Sequence, residues 1–125
     1  MLSTTPKILV IGDSSVNNYL IENILMGKGY ELFIAYSGTE ALNYLRTITP
    51  DLILLDIMMP GIDGYEILET IGSDNNLKNI PVIIVTARNE YYDKEKALNL
   101  GAVDYIVKPI NVDTLLEKIK KALKK

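Results

Sequence analysis

The stretch LILL, Leu52–Leu55, runs into Asp56 and, after Ile57, into the turn-forming sequence MMPGIDG at 58–64. Four apolar residues bounded by turn formers are strand length. Continuous apolarity, instead of alternation, means that both faces of the strand are covered, as in a parallel sheet between two helix layers. The same signature recurs as ILVI at 8–11 and VIIV at 82–85, with weaker versions at 31–35 and 103–107. These predict strands β1 (8–11), β2 (31–35), β3 (52–55), β4 (82–85) and β5 (103–107), with β1, β3 and β4 central.

Helical periods lie between them. Val16, Leu20, Ile24 and Leu25 predict α1 (16–25), stopped by Gly27 and Gly29. Ser37 and Glu40 have capping-box spacing and open α2 (37–49), which packs through Ala41, Leu42 and Leu45 and ends before Pro50. Tyr65, Leu68 and Ile71 mark α3 (65–71), closed near Gly72, and α4 (91–100) is followed by Gly101, a C-cap candidate. Val112, Leu115, Leu116, Ile119 and Leu123 stripe α5 (112–123). Five strands alternating with five helices, β first and without linker or repeat, predict one doubly wound α/β domain with a five-stranded parallel sheet over residues 1–125.

The composition fits. A chain of 125 residues, 48% apolar and 23% charged, has one domain's length and a globular make-up. At this size roughly two-thirds of the unfolded chain's surface is buried, enough for a core without disulfides or structural metals. Cysteine and histidine are both absent, which removes thiol nucleophiles, zinc ribbons, Ser-His-Asp triads and any phosphohistidine role for the chain itself. Carboxylate, hydroxyl and amine chemistry remain, and magnesium-dependent phosphate chemistry suits them because hard cations prefer oxygen. A net charge of −3 argues against a general nucleic-acid binder. The short apolar runs and the N-terminal MLSTTPK point to neither a membrane span nor a signal peptide, so a cytoplasmic protein is expected.

In open parallel sheets functional groups gather outside the carboxyl ends of the strands. β1 ends in Gly12-Asp13, β3 in Asp56, β4 in Thr86 and β5 in Lys108-Pro109. An Asp after a strand is commonly a helix cap, and a Thr there is commonly structural. Together, a carboxylate pair, a hydroxyl and an ammonium are what a Mg²⁺-assisted phosphoryl acceptor needs. Lys108 also serves as the cation between two carboxylates that, at ~4 Å, repel by about 4 kcal/mol at an effective dielectric of 20. The basic tail of Lys118, Lys120, Lys121, Lys124 and Lys125 complements the α5 dipole and carries no further implication.

The residues KILVIGD (7–13), DLILLDIMMPGIDGYEIL (51–68), PVIIVTA (81–87) and GAVDYIVKPI (101–110) together resemble the response-regulator receiver domain, the CheY-like family. D-x-x-M-P-x-x-D-G from Asp56 is the most specific of these motifs, and the spaced T-A and Y-x-x-K-P corroborate it. The resemblance implies a flavodoxin-like (βα)5 fold with strand order 2-1-3-4-5. It implies that Asp56 takes a phosphoryl group from a phosphohistidine on a sensor histidine kinase or histidine phosphotransfer protein. It assigns Mg²⁺ to Asp13, Asp56 and the backbone carbonyl of Met58, phosphoryl oxygens to Lys108 and Thr86, and a cis bond to Lys108-Pro109. Thr86 and Tyr105 would form a switch that alters an α4–β5–α5 surface read by a protein target or a second copy of the chain. At rest, Tyr105 is expected half buried against α5. The domain would catalyse only its own phosphoryl transfer and dephosphorylation, and its output is expected to be a protein contact, with no output domain expected in this stretch of sequence unless it is part of a longer protein.

One position departs from the family pattern. Receiver domains usually carry two adjacent acids after β1, and here the first is Gly12. The loss resembles removal of an outer-shell partner, typically worth ~10–100-fold in metal affinity, so weakened Mg²⁺ binding with phosphorylation preserved is expected. Met58 and Arg88, where the family tunes attack of water on the aspartyl phosphate, cannot orient water as an acid or amide could; slow self-dephosphorylation follows. Pro60, Gly61, Asp63 and Gly64 are read as turn formers. Three other classes compete. A haloacid-dehalogenase-type phosphatase needs a second Asp where Met58 stands. A dinucleotide- or flavin-binding domain needs G-x-G-x-x-G or a hydroxyl-rich loop where this chain has GDSSVN. A phosphorylation-independent pseudo-receiver has Gly12 as its sequence support.

Overall fold

The computed structural model describes residues 5–57, 64–87 and 91–124. The central strands are built from the apolar runs: β1 (Lys7–Ile11), β3 (Leu52–Leu55) and β4 (Val82–Thr86) are buried throughout except at Lys7. β2 (Glu31–Ala35) and β5 (Asp104–Val107) form the edges and are correspondingly less buried. All pairings are parallel and the order is β2-β1-β3-β4-β5, the order the family resemblance implies.

Alternate residues of each strand feed two cores. Leu9, Ile11, Ile53, Leu55, Ile84 and Tyr105 pack on one face under α2 (Gly38–Thr47), α3 (Gly64–Ser73) and α4 (Tyr91–Asn99). Ile8, Val10, Leu52, Leu54, Ile83 and Ile106 pack on the other under α1 (Ser15–Leu25) and α5 (Val112–Lys124). Each fully buried Leu or Ile contributes about 1.5–3 kcal/mol relative to exposure, which explains why Leu, Ile and Val dominate the central strands.

Helix starts follow the sequence signals with one adjustment. Ser37 Oγ accepts from the Glu40 N–H at 3.1 Å, while Glu40 Oε1 accepts from the Tyr36 N–H at 2.6 Å, one residue before the usual capping-box donor. Gly101 has φ +113, the left-handed conformation expected just past α4.

The buried face of α1 matches the predicted stripe at Leu25 and partly at Ile24, and departs from it in the first two turns. Val16 is 76% exposed and Leu20 42%, whereas Asn18, Ile21 and Leu25 are buried. The helix is rotated because Asn18 pays for its burial with a hydrogen bond from Nδ2 to the Gly12 carbonyl, 2.8 Å, which lets a polar residue complete the inward stripe. Lys118 of α5 is also more than a dipole complement, since its Nζ pairs with Asp104 Oδ1 at 2.8 Å.

Candidate functional site

The carboxyl ends of the strands bring the site together. Gly12 follows β1, its N–H donating to Ala35 O at 3.0 Å, and the Asp56 N–H donates to Ile11 O at 2.9 Å. A β-carbon built on Gly12 would lie 3.5 Å from Asp56 Cβ, so the loop of Gly12 and Asp13 flanks the Asp56 side chain. Asp13 itself is exposed. From the far side, Lys108 reaches over β4 and its Nζ meets Asp56 Oδ2 at 2.9 Å, with the two side chains only 16% and 12% exposed. The Lys108 N–H donates to Thr86 O at 2.8 Å, which fixes the backbone at the end of β5. The Lys108-Pro109 bond is cis, as the resemblance implies.

Strand periodicity divides the four polar residues between two faces. Asp56 and Lys108 continue the rows of Leu54 and Ile106, on the α1 and α5 side, and both line a cavity of about 10 Å³ with Gly12, Asn18 and Val85. Thr86 and Tyr105 continue the row of Ile84, on the α4 side: Ile84 pairs with Tyr105 and Thr86 with Val107. Thr86 is fully buried. Tyr105 differs from the half-buried position expected against α5. It is 6% exposed and packs in the core containing Ala97 and Ala102, because its place in the strand alternation directs it toward α4.

The P-G-I-D-G segment was read as turn chemistry, but Gly64 is the first residue of α3 and has a different role. A β-carbon there would lie 2.8 Å from Asp56 O and closer still to Ile57 Cα, so only glycine lets α3 start against the exit of β3. Met58, Pro60, Gly61, Asp63 and Arg88 lie outside the described residues.

The donor set bears on which cation would fit. Asp13 and Asp56 offer carboxylate oxygens, and no group of three or more His, Cys, Asp or Glu side chains forms among the described residues. Two carboxylates suit Mg²⁺, which binds through one or two of them and keeps several waters.

Comparison with known proteins agrees with this geometry. The family described as response regulator receiver domain matches residues 8–120. The chain belongs to that family. The receiver domain is 38% identical over 119 residues to the polar-differentiation response regulator DivK of Brucella ovis, covering 95% of this chain and 97% of DivK. It is 36% identical over 124 residues to a probable transcriptional regulator, ycf27, of Guillardia theta, spanning 99% of this chain but about half, 48%, of that relative. A putative response regulator from Chloroflexus aurantiacus superposes with a TM-score of 0.93 at 30% identity, covering 98% of the receiver domain and 100% of that chain. The chemotaxis protein CheY4 of Vibrio cholerae gives 0.90 at 28% identity, covering 96% and 100%. The receiver domain is therefore a component of two-component signalling. No helix among its described residues is long and apolar enough to cross a membrane.

Asn18 is the site residue that sequence reading missed. Its signal was present: Asn18, Ile21 and Leu25 have the i, i+3, i+7 spacing of a buried face, but only if a polar residue is admitted to the stripe.

Proposed function

We propose that this receiver domain accepts a phosphoryl group on Asp56 from a phosphohistidine of a sensor histidine kinase or phosphotransfer protein. The observation that carries the reading is the Asp56–Lys108 pair, a carboxylate held at the end of β3 by an ammonium from the end of β5. An Asp56 carboxylate oxygen forms the new bond to phosphorus as the bond from phosphorus to the donor's imidazole nitrogen breaks, and the imidazole leaves with that electron pair. Lys108 transfers its attraction from the carboxylate to the phosphoryl oxygens, a charge-assisted contact of the kind that fixes phosphate. Asp13, Asp56 and the Met58 carbonyl would hold Mg²⁺, which when bound neutralises charge on those oxygens. Val16, Tyr19 and Leu20 turn outward from α1 and offer the donor protein an apolar contact surface next to the acceptor.

The response travels on the α4 side. Thr86 donates its hydroxyl to a phosphoryl oxygen, and the space it leaves lies in the same row as Tyr105. Leu98, Val103, Val107 and Val112 are exposed along α4, β5 and the start of α5, supporting an output surface there for a protein target or a second copy of the chain. The domain catalyses its own phosphorylation and dephosphorylation and no other turnover, and the latter is slow; a phosphoryl half-life of seconds would refute slow loss.

The deciding experiment is intact-protein mass after incubation with acetyl phosphate, with and without Mg²⁺, alongside Asp56→Asn. One added phosphoryl group requiring both Mg²⁺ and Asp56 supports the acceptor reading. No adduct from folded protein at high Mg²⁺ replaces it with a phosphorylation-independent interaction module.

A further inference from the structure

We infer that Asn18 takes the place of the acid missing at position 12, as an uncharged positioning residue for the cation held by Asp13 and Asp56. The inference rests on the acceptor reading above and concerns how this chain assembles that site with one carboxylate fewer than its relatives usually carry.

Three observations converge on Asn18. First, it is 2% exposed on α1, one of three buried polar or charged residues among those described, the others being Thr86 and Asp93. A carboxamide is not placed there for apolar packing. Second, its orientation is determined. Nδ2 donates to the Gly12 carbonyl at 2.8 Å, and because a carbonyl only accepts, the other terminal atom is Oδ1. Third, that oxygen faces the position a side chain at residue 12 would enter: a β-carbon on Gly12 would lie 3.2 Å from Asn18 Oδ1 and 3.5 Å from Asp56 Cβ. Position 12 is thus a gap with Asn18 on one side and Asp56 on the other.

The gap opens on the cavity that Asn18 shares with Asp56 and Lys108, whose volume of about 10 Å³ is at the threshold for a single water. An amide oxygen is a hard donor suited to Mg²⁺ or to its water shell. Asn18 therefore supplies an oxygen where the usual first acid would, without its charge, and the site sets two carboxylates against one ammonium. The glycine and the asparagine are also sterically coupled. An acid at 12 would require Asn18 to give by a few tenths of an ångström, so the effect of a side chain at 12 depends on the residue at 18.

A double-mutant cycle tests this, read as Mg²⁺ affinity by titrating the metal into ¹⁵N-labelled protein, with unfolding midpoints recorded for each variant. Asn18→Ala is expected to weaken Mg²⁺ binding about tenfold, within the range for outer-shell partners. Asn18→Ser keeps an acceptor oxygen and gives a smaller loss, and serves if the alanine variant does not fold. Gly12→Asp is expected to gain little alone, and to bind Mg²⁺ more tightly when combined with Asn18→Ala than either single variant does. Unchanged affinity in folded Asn18→Ala or Asn18→Ser, or strictly additive effects of the two sites, overturns the role of Asn18 while leaving the acceptor reading intact. Failure of the unsubstituted protein to bind Mg²⁺ or to take a phosphoryl group on Asp56 overturns the acceptor reading itself.

Discussion

Gly64 packs against Ile57 with no space between their backbones: a β-carbon on Gly64 would overlap Ile57 Cα and stand 2.8 Å from Asp56 O. The N–H of Gly64 donates to Ile57 O at 3.3 Å, so the start of α3 is bonded to the residue after Asp56. The backbone that carries Asp56 and the start of α3 are in direct contact.

Gly64→Ala should accordingly break more than it gains. The methyl group improves helix propensity by up to about 1 kcal/mol, yet overpacking against backbone costs about 1–3 kcal/mol and shifts Asp56. A lower urea midpoint together with slower phosphorylation by acetyl phosphate is the expected pair of results. A midpoint at or above the original would show that α3 can slide without moving the acceptor.

Lys108→Met removes the cation from a carboxylate that is only 12% exposed. Hydrogen bonds to charged groups are worth about 1.5–3 kcal/mol, and the variant should lose stability within that range in urea unfolding at low salt. It should also fail to hold the phosphoryl group in its switching geometry. An unchanged midpoint would mean that Asp56 draws no stability from the ammonium.

Thr86→Ala separates acceptance from response. Asp56 and Lys108 lie on the α1 and α5 face and Thr86 on the α4 face, so the variant should still gain one phosphoryl mass. Amide shifts of Tyr105, Ala102 and Ala97 on phosphorylation should shrink to a small fraction of those in the unsubstituted protein. Full-size shifts would place the switch elsewhere.

The rotation of α1 gives a stability test. Ile21 is buried and stands off the stripe read from the sequence, and Ile21→Ala should cost about 2–5 kcal/mol. Val16, on the stripe read from the sequence, is 76% exposed, and Val16→Ala should fall within about 0.5 kcal/mol of the original. Equal losses in chemical denaturation would restore the sequence-based face.

Legibility in the sequence followed how local each signal was. The runs ILVI, LILL and VIIV read as strands covered on both sides, and the residues that follow them and the weaker run at 103–107 named Asp13, Asp56, Thr86 and Lys108 before any contact was known. The Ser37 cap and the Gly101 terminus were local backbone requirements and appeared where expected. Gly64 reads as a turn former in the sequence because its constraint is a contact with Ile57, seven residues away, and the helix over Tyr105 is not legible there because strand alternation assigns the side chain to a face while the fold decides which helix covers that face.

The sequence by itself determined that the chain folds as a βα-repeating domain and which polar residues stand at the strand ends, since periodicity and composition are properties of neighbouring residues. Tertiary structure alone decided that Lys108 meets Asp56 across β4, that Thr86 and Tyr105 share the opposite face, and that Asn18 turns inward over Gly12. Those relations join residues as many as 52 positions apart, and they exist only once parallel register and helix rotation have been fixed by burial.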